Sequence, residues 1–274
     1  MRMRGKAGVF AVAVFAVAIV GCAPFIGALD VSPREVLAGG ESMGARVFWE
    51  LRLPRVLTAA LAGAALSVSG MAFQAVFRNP LAAPYTLGVS GGAALGAALY
   101  VRLAGAFSLF GVSGVTWAAL AGAGAAVSLV YAAARIRGRL DMATLLLAGV
   151  AVSLTCTSLI LFIQYTADMY DTFRMVRWMM GGFGVVGYGD ALGLVLPCLG
   201  GVALVLALAP ELNQLLTGDE LALSRGVRVA GVQRLLFAAV SIMTGCVVAV
   251  VGPIGFVGLM APHICRLITG PDHR

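Results

Sequence analysis

The side chains that could carry out chemistry are few in this sequence. Its 274 residues include five cysteines, two histidines and a single lysine, Lys6. The cysteines all lie in apolar stretches without a C-x-x-C pair, so we predict that they pack as small apolar side chains: Cys22, Cys156, Cys198, Cys246 and Cys265. For Cys22 one alternative stays open, because Ile19-Val20-Gly21-Cys22 is similar to a bacterial lipoprotein cleavage site. Residues 7–29 are, however, also long enough to span a bilayer.

Metal and nucleotide chemistry both lack the residues that they need. Near the C-terminus a metal site could be assembled only from His263, Cys265, Asp272 and His273. Pro262 and Gly270 interrupt the backbone there, so we predict no metal site and a packing role for the histidines. Lys6 lies in the N-terminal tail and cannot serve as the lysine of a P-loop. The glycine-rich stretch 88–96 lacks the preceding strand and the later acidic residue of a dinucleotide-binding loop.

The elements that must position any functional residue are membrane helices. The sequence is 61% hydrophobic and 11% charged, with a mean hydropathy of +0.98, which excludes soluble, disordered and disulfide-rich classes. Seven apolar runs without a charged residue are long enough to cross a bilayer, and an eighth is short and contains Pro262. The runs are 7–29, 56–77, 86–101, 107–134, 142–165, 191–209, 235–251 and, as a spanning or re-entrant segment, 254–268. We predict an all-α, polytopic transmembrane helix bundle forming a single domain over residues 1–274, with no catalytic site.

Two stripes of small residues predict close helix packing. Glycines recur every four residues at Gly88, Gly92 and Gly96, and a second stripe follows at Gly114, Ala118, Gly122 and Ala126. In lipid, such stripes let two helix backbones approach closely.

The distribution of basic residues predicts an orientation. With the N-terminus inside, the inner segments hold twelve of the nineteen basic residues and the outer segments seven. The net charge of +7 then belongs entirely to the inner side. This follows the positive-inside rule and requires no nucleic-acid partner.

Three segments stand out from the apolar background. Arg52 and Arg55 lie in Leu51-Arg-Leu-Pro-Arg55 on the outer side, where arginines are not expected; they are either interfacial anchors or a platform for an acidic partner. Asn79-Pro80-Leu81 breaks the chain between two spans at the inner side. The polar segment 210–234 carries five leucines and is broken at Gly218 and Gly226, which predicts two short amphipathic helices that need a partner surface.

With a third motif at 252–266, Gly252-Pro-Ile-Gly-Phe-Val-Gly to Arg266, these segments resemble the permease subunits of ABC importers for iron-siderophores, haem and vitamin B12. The resemblance runs from about residue 30 to the end. It implies alternating access in the bacterial or archaeal inner membrane, without a cofactor. It also implies three partners, which are a cytoplasmic ABC ATPase, a periplasmic or lipid-anchored substrate-binding protein, and a second copy or a paralogous permease.

The resemblance assigns roles to individual residues. It implies that the outer arginines dock the binding protein and that Asn79, Pro80 and Leu81 form part of a cytoplasmic gate. Segment 210–234 would couple to the ATPase through Leu215, Gly218, Asp219, Glu220, Leu221, Ala222 and Gly226.

Two further expectations follow. Family members have ten spans, with the last assigned together with the fifth to the dimer contact. We therefore expect the chain to be a fragment or a shortened gene product that inserts but dimerises poorly. The alternative function is an ion-coupled secondary transporter, but such proteins place ionisable groups within the membrane, and the clear spans have none.

Overall fold

The computed structural model describes residues 2–37, 42–103, 107–109, 111–134, 142–184 and 187–269, and the side chains of nearly all of them. The described chain is a bundle of helices with one two-stranded hairpin. The helices are α1 (Arg2–Cys22), α2 (Pro33–Leu37), α3 (Met43–Arg46), α4 (Leu53–Phe77), α5 (Val89–Leu103), α6 (Gly114–Ala134), α7 (Met142–Thr166), α8 (Met169–Met179), α9 (Tyr188–Ala207), α10 (Ala209–Leu215), α11 (Asp219–Ser224), α12 (Val229–Val251) and α13 (Val257–Thr269). The predicted helical membrane bundle is confirmed.

Among the described residues, six helical segments are long and apolar enough to cross a membrane. They overlap α1, α4, α6, α7, α9 and α12. The α4 segment begins at Met43 because a π-helical turn, Val47–Arg52, joins α3 to α4. α5 and α13 are shorter, with 15 and 13 residues. At 1.5 Å per residue, α13 is about 20 Å long, which is too short for a hydrocarbon core of about 30 Å.

The segment after α12 consists of two parts, an irregular stretch and the short helix α13. Its start is fixed beside α8, where the amide of Gly182 donates to the carbonyl of Val251 at 2.7 Å. An irregular stretch follows to α13, whose end approaches α1, since a Cβ at Gly8 would lie 3.0 Å from the carbonyl oxygen of Ile268. Gly252 is buried and Ile254 is half-buried in this stretch, whereas Gly255 and Phe256 at its end are exposed.

Close packing of α5 on α6 confirms the predicted small-residue stripes in their central part. A Cβ added at Gly92 or Gly96 would overlap backbone atoms of Gly122 or Ala118. Gly88 differs from the prediction because it precedes α5 with a φ of +77° and faces Val152 of α7. Gly114 likewise faces the ring of Tyr100 rather than a helix backbone.

A second close approach joins α4 to α13. A Cβ at Gly70 would overlap the carbonyl of Gly258, so neither helix could keep its place with a larger residue there. The amide of Gln74 also donates to the carbonyl oxygen of Leu259 at 3.1 Å. These contacts hold the short α13 against the C-terminal half of α4.

α12 and α4 form the centre of the bundle. α12 packs on α4, α5, α6 and α9. Of the residues in its apolar segment, 67% are buried, whereas only 6% are buried in the apolar segment of α1. Phe73 of α4 stacks on Phe237 of α12 with ring centroids 6.3 Å apart. The free cysteines Cys156 and Cys198 are buried in α7 and α9 as small side chains.

One predicted boundary is wrong. The apolar run 107–134 does not form one helix, because strands Ser108–Leu109 and Val112–Ser113 pair as an antiparallel hairpin before α6 begins at Gly114. Gly111, with a φ of +75°, lies in the tight turn between the strands. A glycine turn of this kind favours a hairpin over a helix.

Candidate functional site

The segment between α9 and α12 folds into two short helices, as predicted. α10 and α11 are separated by Gly218, whose φ of +115° is open to glycine but strained for other residues. Gly226, with a φ of +84°, ends the second helix before the chain enters α12. The two glycines therefore set where this helix–turn–helix bends.

One side of this helix–turn–helix is anchored in the protein's own core. Leu212, Leu215 and Ala222 are at most 1% exposed and belong to the main hydrophobic cluster. The amide of Val227 donates to the carbonyl of Ala222 at 3.0 Å, which ties α11 back toward α12. Leu215 and Ala222, two of the predicted coupling residues, therefore hold the helix pair in place.

Other leucines project away from the core. Leu216, Leu221 and Leu223 are 41%, 52% and 58% exposed, and Glu220 beside them is exposed as well. We call these three leucines the coupling leucines. A polar loop that only joins two spans has no need of such side chains, so they are candidates for contact with another protein.

The predicted gate residues form a tight turn after α4. Arg78 ends α4 in the left-handed region with a φ of +49°. The side-chain oxygen of Asn79 accepts a hydrogen bond from the amide of Leu81 at 2.9 Å, which fixes the turn through Pro80. Leu81 is 68% exposed, so its side chain is available at the surface.

An ion pair joins this turn to the coupling segment. Nη2 of Arg78 lies 2.7 Å from Oδ1 of Asp219, the first residue of α11. The two motifs that were predicted to gate and to couple are therefore in direct contact on one face of the bundle, which we call the predicted inner face. The sequence carries no signal for this pair, because 141 residues separate its members.

The outer arginines lie together on the opposite face, the predicted outer face. Arg52 is half-buried and donates to the carbonyl oxygens of Pro24 and Leu29 at 3.2 and 2.5 Å. Arg55 is exposed and donates a hydrogen bond to the carbonyl oxygen of Gly184 at 3.1 Å. Arg52 thus fastens the chain after α1 to α4, whereas much of the Arg55 side chain remains open to solvent.

A large open cavity on the predicted outer face was not foreseen from the sequence. Its volume is about 730 Å³, and it is lined by α8, the glycine turn that follows α8, and the ends of α5, α6 and α12. Arg174, Arg177 and Trp178 contribute the side chains that could contact a ligand. Arg174 also lies 3.6 Å from Asp171 on the same helix.

The weak metal candidate gains no support from the described part of the chain. His263 and Cys265 are exposed on α13, while Asp272 and His273 lie outside the described residues. Among the described residues there is no group of three or more histidine, cysteine, aspartate or glutamate side chains close enough to hold a metal ion.

Comparisons with known proteins identify the family of this chain. The FecCD transport family matches residues 10–274. The cobalamin import system permease protein BtuC of Halobacterium salinarum is 41% identical over 224 residues, which are 82% of this chain and 59% of that protein. The vitamin B12 import system permease protein BtuC of Salmonella typhimurium is 38% identical over 87% of this chain and 72% of its own length.

A solved structure is similar over nearly the whole chain. A transporter assigned to the metal-chelate type of ABC transporters, in an inward-facing conformation, superimposes with a TM-score of 0.85 at 29% identity. The match covers 96% of this chain and 82% of the other. The resemblance drawn from the three sequence motifs is confirmed, and the chain belongs to the FecCD transport family.

Proposed function

We propose that the chain is the permease subunit of an ATP-driven importer for a metal chelate. The observation that carries this proposal is the projecting helix pair α10–α11, with its exposed leucines and its contact with the turn after α4. A transporter that works alone has no use for an apolar docking surface at this place. An importer driven by a separate ATPase needs one beside its gate.

The ATPase subunit binds at the coupling leucines and at the exposed part of α11. Leu221 and Leu223 contribute apolar area, and Glu220 contributes charge at the edge of the contact. Asn79, Pro80 and Leu81 form part of the gate, so nucleotide-driven movement begins next to residues that open the path. The predicted inner face is the cytoplasmic one, and the N-terminus lies on that side.

The substrate-binding protein docks on the predicted outer face. Arg55 supplies an exposed guanidinium for an acidic partner, and Arg52 supports it by holding the chain segment below. The cavity beside α8 receives the released chelate. Its volume of about 730 Å³ lies within the range of small-molecule sites, about 300–1,000 Å³.

The substrate class is a metal chelate: a ferric siderophore, cobalamin or haem. Two relatives whose names state cobalamin or vitamin B12 import make cobalamin the first compound to test. The working unit contains two permease chains, either two copies or a copy with a paralogue. The second permease chain packs on the exposed apolar side of α7, which carries Leu154, Leu161 and Phe162.

The test is the ATPase activity of the assembled complex. The chain is purified with its ATPase subunit and reconstituted, and hydrolysis is measured with the binding protein empty and loaded in turn with cobalamin, haem or ferric siderophores. Stimulation by one loaded form supports the proposal and identifies the chelate. Failure of the chain to retain an ATPase subunit would contradict it.

A further inference from the structure

The Arg78–Asp219 ion pair connects two elements that are far apart in the sequence. Arg78 is the C-cap of α4 and the first residue of the gate turn, and Asp219 is the first residue of α11. Nη2 of Arg78 and Oδ1 of Asp219 are 2.7 Å apart. Both side chains are 42% exposed, so water reaches the pair. An exposed ion pair contributes little to folding, which makes a purely structural role a poor explanation for this contact.

The backbone has a positive φ at Arg78 and at Gly218, the residue before Asp219. Arg78 has a φ of +49°, in the left-handed region where a helix cap usually carries glycine or asparagine. An arginine adopts this conformation less readily than glycine, but its guanidinium reaches Asp219 of α11. On the other side, Gly218 has a φ of +115°, which sets the direction in which Asp219 leaves the turn.

Each partner is also continuous with a functional segment. The amide of Asn79 donates to the carbonyl of Gln74 at 3.2 Å, so the gate turn is built directly onto the last turn of α4. Displacement of Arg78 must therefore move Asn79 and the residues after it. Asp219 lies two residues before Leu221, so a protein that pulls on the coupling leucines pulls on Asp219.

From these contacts we propose that Arg78 and Asp219 are positioning residues that transmit movement of α11 to the gate turn. The inference rests on the proposed function and deepens it, because it names the link between ATPase docking and gating. The pair is not needed for the ATPase subunit to bind. Without it, nucleotide-driven movement of α11 reaches the gate with lower efficiency.

The experiment measures uptake of labelled cobalamin, haem or ferric siderophore per ATP hydrolysed in proteoliposomes that contain the whole complex. Arg78→Gln and Asp219→Asn should each keep the ATPase subunit bound and hydrolysing, while uptake per ATP falls about five-fold, equivalent to about 1 kcal/mol of coupling. The exchanged variant R78D/D219R should recover to within about two-fold of wild type, since it restores the attraction. Arg78→Lys, which keeps the charge, should lose less than Arg78→Gln.

Arg102→Gln serves as the matched control, because it removes an exposed arginine at the end of α5 that has no carboxylate within 4.0 Å among the described residues. Normal uptake per ATP in both single variants, or no recovery in the exchanged variant, would overturn the link while leaving the proposed function intact. Absence of ATP-driven uptake in the wild-type complex would contradict the proposed function and the link together.

Discussion

Replacement of Leu221 by aspartate is the sharpest single test of the docking surface. The side chain is 52% exposed in the isolated chain, so about half of it remains to be buried by a partner. Full burial of a leucine side chain is worth about 1.5–3 kcal/mol, and half of it therefore about 0.8–1.5 kcal/mol. A carboxylate placed in the same contact adds an unpaired polar group that costs about 1–3 kcal/mol.

The expected loss is at least about 2 kcal/mol, or about 30-fold in affinity for the ATPase subunit. The assay is titration of the detergent-purified permease with the purified ATPase subunit, with membrane insertion and thermal stability measured in parallel. Leu37→Asp is the control, because Leu37 is 86% exposed and lies on the predicted outer face. Equal ATPase affinity for Leu221→Asp and Leu37→Asp would refute the docking assignment.

Three further predictions separate folding roles from docking roles. Ala222→Asp should lower the thermal stability of the purified chain as well as coupling, because Ala222 is fully buried; unchanged stability would contradict its anchoring role. Arg55→Glu should slow association of the binding protein, most strongly at low salt. Arg52→Ala should also loosen the chain after α1, because it removes two hydrogen bonds to carbonyl oxygens, and limited proteolysis detects this loosening. Equal association rates for wild type and Arg55→Glu at all salt concentrations would count against the docking role. Gly96→Leu should disrupt α5–α6 packing and lower stability more than Gly124→Leu, where a Cβ meets no neighbour within 4 Å; similar losses in both would argue against the close approach.

The membrane bundle and its motifs were predictable because composition and small-residue spacing are strong signals in lipid. The apolar runs located the spans, and Gly92, Gly96 and Gly122 indicated one close helix contact. Gly218 and Gly226 predicted the bends of the α10–α11 pair. These features depend on local sequence, so they can be predicted without knowledge of the tertiary structure.

The rest depended on contacts between distant segments. The burial of Ala222 and the exposure of Leu221 differ although the residues are adjacent, and only the packing of α11 on the core decides which is which. The different roles of Arg52 and Arg55 also depend on distant contacts. Arg52 donates to the carbonyl oxygens of Pro24 and Leu29, whereas Arg55 donates to that of Gly184. The hairpin before α6 was missed because its apolar residues extend the helical run.

The central claim is that ATP hydrolysis on a partner drives chelate uptake through this chain. The most direct measurement is uptake of labelled cobalamin and of ferric siderophores into proteoliposomes that contain the complex, with the binding protein outside and ATP inside. We predict uptake that requires ATP and the ATPase subunit and that persists when ionophores collapse the proton and sodium gradients. Uptake driven by either gradient without the ATPase subunit would contradict the account and favour an ion-coupled transporter.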